Sequence, residues 1–147
     1  MKGVANSILA AILVSFFMLS FTNFLLFFPW YLTLVYKTFN VATEASTINY
    51  VSGQMVEDAL NDLETRPMYR DKINSIVISM DNVAVSRYSN DNTRRLQKGE
   101  KFNVSIEADF PFVVKIFGQE FKRELDIKFS IPVTGIRYYK DLDPYVI

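Results

Sequence analysis

The chain has 147 residues, with 16 basic and 16 acidic side chains and neither cysteine nor histidine. Without these two residue types there is no disulfide framework, no thiolate metal site and no histidine-based catalytic triad or dyad. The net charge of zero gives no general attraction to nucleic acid. We therefore expect a protein that is not an enzyme, with no catalytic residue, cofactor, metal, nucleic acid or small-molecule substrate.

The N-terminal segment is predicted to be a membrane helix. Between Lys2 and Lys37 there is no charged residue, and about 20 apolar residues are enough to cross a bilayer. As a helix, residues 4–36 would extend about 50 Å, well beyond the ~30 Å hydrocarbon core. A signal peptide has a shorter apolar region, of about 7–15 residues, so we favour a stable anchor. Lys2 and the terminal amine favour an orientation with the N-terminus inside and the C-terminus outside.

Polar and aromatic residues divide this helix. In lipid, the Asn23 amide prefers a partner on another helix, although it could instead lie near the membrane surface and meet water. Pro29 is expected to kink the helix, and the aromatic residues after it predict an outer headgroup level near residues 28–36. The positions predicted for helix–helix packing are Phe16, Ser20, Asn23 and Phe27.

An amphipathic segment, residues 38–66, follows the predicted transmembrane or filament-core helix, residues 1–37. Apolar side chains recur here at spacings of three and four, which predicts a helix that continues the first one as far as about residue 65. Pro67 is expected to end it. The residues predicted to pack against a sheet are Val41, Ala45, Ile48, Met55, Ala59 and Leu63.

The remaining residues, 67–147, show the alternation of β-strands. The strongest pattern is 102–110, which Pro111 interrupts, so we expect an edge position or a bend there. A second alternating run, 125–133, predicts an antiparallel hairpin with its turn at 117–119, and Asp81-Asn82 is a further bulge or tight turn. The predicted fold class is α+β: one long helix, kinked near Pro29, across a three- or four-stranded antiparallel sheet.

Other candidate groups are weaker. The basic region 87–101 could bind a phosphate or an acidic surface, or be a solvated loop. Asp141 and Asp143 could supply oxygen ligands for calcium. The carboxylates in 57–62 suit acid–base chemistry only inside a cleft. Three tyrosines could dock a partner or close the sheet: Tyr138, Tyr139 and Tyr145.

The layout resembles that of type IV pilin-like proteins. The shared features are a short N-terminus ending in glycine (MKG), an apolar helix with a proline in its second half, an amphipathic extension and an antiparallel sheet. More narrowly it is similar to the TadE-like minor pilins of tight-adherence systems and to a pilin-like family associated with mobile elements. The resemblance implies cleavage of a leader between Gly3 and Val4. Pilins usually carry a glutamate at the fifth mature position, where this chain has Ile8.

The resemblance implies a structural subunit of a pilus (fimbrium) or of a secretion or conjugation assembly. Its expected partners are membrane lipid and copies of itself or other pilin-like subunits. The expected location is the cytoplasmic membrane before assembly and the cell surface afterwards. The alternative is a monomeric, single-pass anchored domain that binds or senses a ligand outside the cell.

Overall fold

The computed structural model describes residues 2–89, 94–116 and 119–143, with only the backbone of Lys2 and of residues 114–116. The chain forms a long N-terminal helix packed on a four-stranded antiparallel sheet, which confirms the predicted α+β class. Its contacts divide it into two units. We call Met1–Leu32 with Phe110–Leu125 the helix–hairpin unit and Thr33–Asp109 with Asp126–Ile147 the core unit.

The secondary structure consists of three α-helices, two short 3₁₀ turns and four strands within the described residues. The helices are α1 (Lys2–Ile48), α2 (Gly53–Glu64) and α3 (Pro67–Arg70). The strands are β1 (Val77–Met80), β2 (Val83–Ala84), β3 (Lys101–Ile116) and β4 (Gln119–Thr134). The 3₁₀ turns are Ile73–Ser75 and Lys140–Leu142. Helix α1 runs through Pro29 without interruption, and the kink at this position stays a prediction.

The prediction of one continuous helix as far as about residue 65 is wrong, because helix α1 ends before Asn49. This residue adopts the left-handed conformation, with φ of 61°, which asparagine tolerates better than most residues and which ends a helix. A new helix begins at Gly53, where the Ser52 hydroxyl accepts a hydrogen bond from the Met55 backbone N–H at 3.3 Å. The amphipathic stripe is therefore shared by two helices.

The sheet has the strand order β2-β1-β3-β4. Asp81 and Asn82 have φ of 50° and 63°, the backbone of a two-residue hairpin turn that joins β1 to β2. The predicted tight turn is confirmed. Strand β1 pairs with β3 from Val77↔Glu107 to Met80↔Val104.

The predicted alternation in β3 is confirmed by burial. The even-numbered side chains of 102–110 are all buried, as the sequence pattern requires when one face of a sheet is covered. The register of β3 also explains why a proline is tolerated at position 111, where we expected an edge position or a bend. The pairs with β1 end at Glu107, so the missing N–H of Pro111 removes no bond to β1. Of the predicted hairpin turn, Gln119 begins β4, and Phe117 and Gly118 lie outside the described residues.

An ion pair links α1 to α2 in the core unit. Lys37 Nζ lies 2.5 Å from Asp62 Oδ2, and Arg66 Nε lies 3.4 Å from the same oxygen. The hydrogen bond from Lys37 lowers the pKa of the Asp62 carboxyl. The carboxylates of 57–62 do not lie in a cleft: Glu57 and Asp58 are exposed, and Asp62 takes part in this ion pair.

This pair makes a small pH-dependent contribution to stability. Because the pKa of Asp62 is lower in the folded chain, the contribution is present above the unfolded pKa and is lost as the pH falls through the folded one. Asp62 is partly exposed, so we expect at most about 1 kcal/mol. Lys37→Gln should remove the larger part of it at pH 7, since the contact with Arg66 stays, and should change the free energy of unfolding little at pH 2. Denaturant titrations at both pH values provide the measurement, and an equal loss at both would contradict the assignment.

Candidate membrane and assembly surface

Helix α1 is long and apolar enough to cross a membrane. Its first part, residues 3–18, is exposed on every side. Three hydroxyl side chains in this part and just beyond it, those of Ser7, Ser15 and Thr22, bond to the preceding turn. The Ser15 hydroxyl donates to Ala11 O at 2.9 Å and the Thr22 hydroxyl to Met18 O at 2.9 Å. Hydroxyls satisfied in this way are compatible with lipid.

The next part of α1 has one side covered by the β3–β4 hairpin. Asn23 is 8% exposed, and its Nδ2 donates to Leu19 O and to Val113 O, both at 3.0 Å. The Val113 N–H donates in return to Asn23 Oδ1 at 3.4 Å. The side-chain amide thus pairs with the strand as a neighbouring strand would, and it has partners within its own chain. Asn23 therefore does not need another helix to satisfy the hydrogen bonds of its side-chain amide.

An aromatic cluster continues this contact. The Phe110 ring centroid lies 5.1 Å from that of Phe27 and 5.2 Å from that of Trp30, both edge to face. Phe27 also stacks on Tyr31 at 5.6 Å. Trp30 is 1% exposed, so it is packed against β3 and does not face lipid. Trp30, the first of the aromatic residues that predict a headgroup level at residues 28–36, therefore does not support that prediction.

The opposite side of α1 remains open. Large apolar side chains along it are more than half exposed, although they belong to the same stretch of helix that contacts the hairpin on its other side. We call this row the open row, and its members are Phe21, Phe24, Leu25, Phe28 and Leu32. In the core unit, Tyr36 and Phe39 on the same helix are also exposed. The helix thus has a covered side and an apolar uncovered side from about residue 19 onwards.

The predicted packing residues are divided between these surroundings. Phe16 is exposed, Ser20 and Phe27 are half-buried, and Asn23 is buried, so only Phe16 lies fully on free surface. No contact with another copy tests these four positions, which stay predictions. Gly3 and Val4 lie in the first turn of α1, and cleavage between them also stays a prediction.

Five of the six residues predicted to pack on the sheet are buried. Ile48 is only half-buried, and its backbone C=O accepts a hydrogen bond from the Tyr139 hydroxyl at 2.7 Å. The sequence reasoning missed buried residues nearer the N-terminus. Three of them extend the stripe at the same spacing of three and four: Trp30, Leu34 and Thr38. Asn23 lies two such steps further towards the N-terminus than Trp30. That spacing was the available signal.

Some side chains of the weaker candidate groups have partners within the chain. Arg95 lies 3.0 Å from Asp141 Oδ2 and stacks over the Tyr139 ring. Asp143 accepts a hydrogen bond from the Tyr138 hydroxyl, which raises the pKa of this phenol. Among the residues described, no group of three or more acidic side chains could hold a metal. Tyr145 lies outside the described residues.

No family model, curated protein or solved structure matches this chain.

Proposed function

We propose that the chain is a structural subunit of a pilus-like surface filament, or of a related secretion or conjugation assembly. Copies would assemble through the apolar helix α1. Before assembly the subunit is a single-pass protein of the cytoplasmic membrane with its C-terminus outside, and after assembly it belongs to the cell surface. Its partners are membrane lipid and copies of itself or other pilin-like subunits.

The observation that carries this proposal is the open row. A bilayer core of ~30 Å takes about 20 helical residues, which α1 supplies before it reaches Asn23. The open row runs from Phe21 to Leu32, along a stretch of helix whose other side carries a hydrogen-bonded strand edge at Asn23. A contiguous exposed apolar surface of this kind marks an interaction site. A second α1 covers it most simply, because every copy in the membrane presents the same row at the same height.

Cross-linking of cysteine variants tests this proposal. The chain has no cysteine, so each variant carries a single reactive site. Leu25→Cys, Phe28→Cys and Leu32→Cys should form disulfide dimers in native membranes about tenfold faster than Tyr88→Cys, because packing raises the local concentration. Tyr88 is a matched control, since it is 81% exposed but lies outside α1.

Electron micrographs of material sheared from the cells provide the second measurement, and filaments that contain the chain are expected. If the chain is instead a monomeric anchored domain, we expect the opposite results. It would give no filaments, and the open-row variants would cross-link no faster than Tyr88→Cys.

A further inference from the structure

The β3–β4 hairpin also limits how deeply helix α1 can lie in the membrane. Polar main-chain groups lie directly against α1 at Asn23, where both the N–H and the C=O of Val113 bond to the side chain. Half-burial of α1 begins four residues earlier, at Leu19. The described part of the hairpin also holds an ion pair, since Lys122 Nζ lies 3.6 Å from Glu124 Oε1. Half or nearly half of each of these two side chains is exposed.

Such a structure is incompatible with the hydrocarbon core. An open strand edge and exposed charges are not tolerated in lipid, where helices and closed barrels are the spanning structures. The hydrocarbon must therefore end where the hairpin begins. Residues 3–22 of α1 have a length of about 30 Å at 1.5 Å per residue, which equals the thickness of that core. The uncharged stretch between Lys2 and the start of the hairpin thus matches the thickness of the hydrocarbon core.

We propose that the half of the hairpin nearest its turn, residues 110–116 and 119–125, lies at the headgroup layer of the outer leaflet. The pairing of Asn23 with Val113 then sets the depth of α1. The partner of this surface is the phospholipid bilayer. Phe121 is 57% exposed, and aromatic side chains are enriched at this level of a membrane. Lys122 can extend its ammonium to the lipid phosphates. The outer boundary thus lies near residues 19–23 and not near residues 28–36.

Depth measurements on single-cysteine variants test this proposal, and they do not depend on filament formation. The full chain is reconstituted at one copy per nanodisc, which prevents contacts between copies. Four exposed aromatic residues serve as matched sites, with exposed fractions of 69%, 54%, 57% and 81%: Phe17, Phe28, Phe121 and Tyr88. Each is changed to cysteine and treated with a membrane-impermeant maleimide, or labelled with an environment-sensitive fluorophore and quenched by spin-labelled lipids.

Phe28→Cys should react within about threefold of the rate of Tyr88→Cys, and Phe17→Cys at least about tenfold more slowly, since only Phe17 lies in hydrocarbon. A fluorophore at position 121 should be quenched by a headgroup spin label and not by one deep in the acyl chain. Protection of position 28 equal to that of position 17 would overturn the proposal. So would a fluorophore at position 121 that behaves as the one at Tyr88 does. If the surface instead binds another copy, position 121 becomes shielded only when many copies share a vesicle.

A second variant tests the role of the Asn23–Val113 pair. Asn23→Leu removes the side-chain partner of the strand edge and leaves the apolar length of α1 intact. We expect position 28 to become at least about threefold less reactive in this background, because the helix can then move deeper into the apolar core. An unchanged rate at position 28 would show that the pair does not set the depth. Fluorescence at position 88 should be unaffected, which checks that the core unit is still folded.

Discussion

Leu63→Asp should unfold the core unit, and Glu64→Asp, one residue further along α2, should not. Leu63 is 0% exposed, so its replacement buries a carboxylate without a partner and leaves a cavity. Each of these effects costs several kcal/mol, and we expect a loss of about 4–5 kcal/mol or more. Such a loss is a large fraction of the total stability of an ordinary domain.

The neighbouring substitution is the control. Glu64 is exposed at the end of the same helix, so both variants place a carboxylate close to the C-terminal end of the helix dipole and differ mainly in burial. Glu64→Asp should change the stability by about 0.5 kcal/mol or less. Hydrogen exchange of the β1 and β3 amides of the full chain in detergent measures both effects. Equal protection in the two variants would contradict the assignment of the buried face.

Asn49→Ala should be the most disruptive change to a polar residue. Asn49 is 0% exposed; its Nδ2 donates to Leu96 O at 2.9 Å and its Oδ1 accepts from the Arg137 N–H at 2.9 Å. The same residue ends α1, so it joins the helix to two distant segments. Loss of its side chain removes the hydrogen-bond partner of part-buried backbone groups of Leu96 and Arg137, at about 0.5–1.5 kcal/mol each. Alanine adds about 1 kcal/mol of strain, because φ is positive at this position.

Asn49→Gly separates these two costs. Glycine adopts the left-handed conformation readily, so it should lose the hydrogen bonds without the strain. We expect Asn49→Gly to be about 1 kcal/mol less destabilising than Asn49→Ala. Denaturant midpoints of the full chain, measured by circular dichroism, give the comparison. A glycine variant less stable than the alanine variant would show that backbone strain at this position is unimportant.

Gly135 tests the same contact from the opposite side. A Cβ atom at this position would lie 2.6 Å from Asn49 Cγ, far inside van der Waals contact. The asparagine cannot yield without giving up its hydrogen bonds, so Gly135→Ala should destabilise the core unit by about 1–3 kcal/mol. In the Asn49→Gly background the atoms that clash are absent, and Gly135→Ala should then cost much less. Additive losses in the double variant would contradict a shared contact.

Much of the fold could be predicted from local patterns. The uncharged run up to Tyr36 predicts an apolar helix, because no other backbone structure buries that much uniform apolar sequence. The strict alternation of 102–110 determines which face of β3 is buried, since neighbouring side chains on a strand point to opposite sides. Asp81-Asn82 predicts the turn, because these residues accept positive φ.

Only the tertiary structure decided which side of α1 is covered. Between residues 4 and 36 nearly every side chain is apolar, so this segment taken alone has no periodicity that separates the buried Trp30 from the exposed Phe28. The register of the stripe that follows it is the one sequence signal for this side of the helix. The partners of the buried Asn23 and Asn49 also lay beyond sequence reasoning. Asn23 bonds to a strand 90 residues away, and Asn49 bonds to Arg137, 88 residues away. An amide in an apolar helix predicts that a partner exists, but which backbone group it meets is set by how distant segments pack.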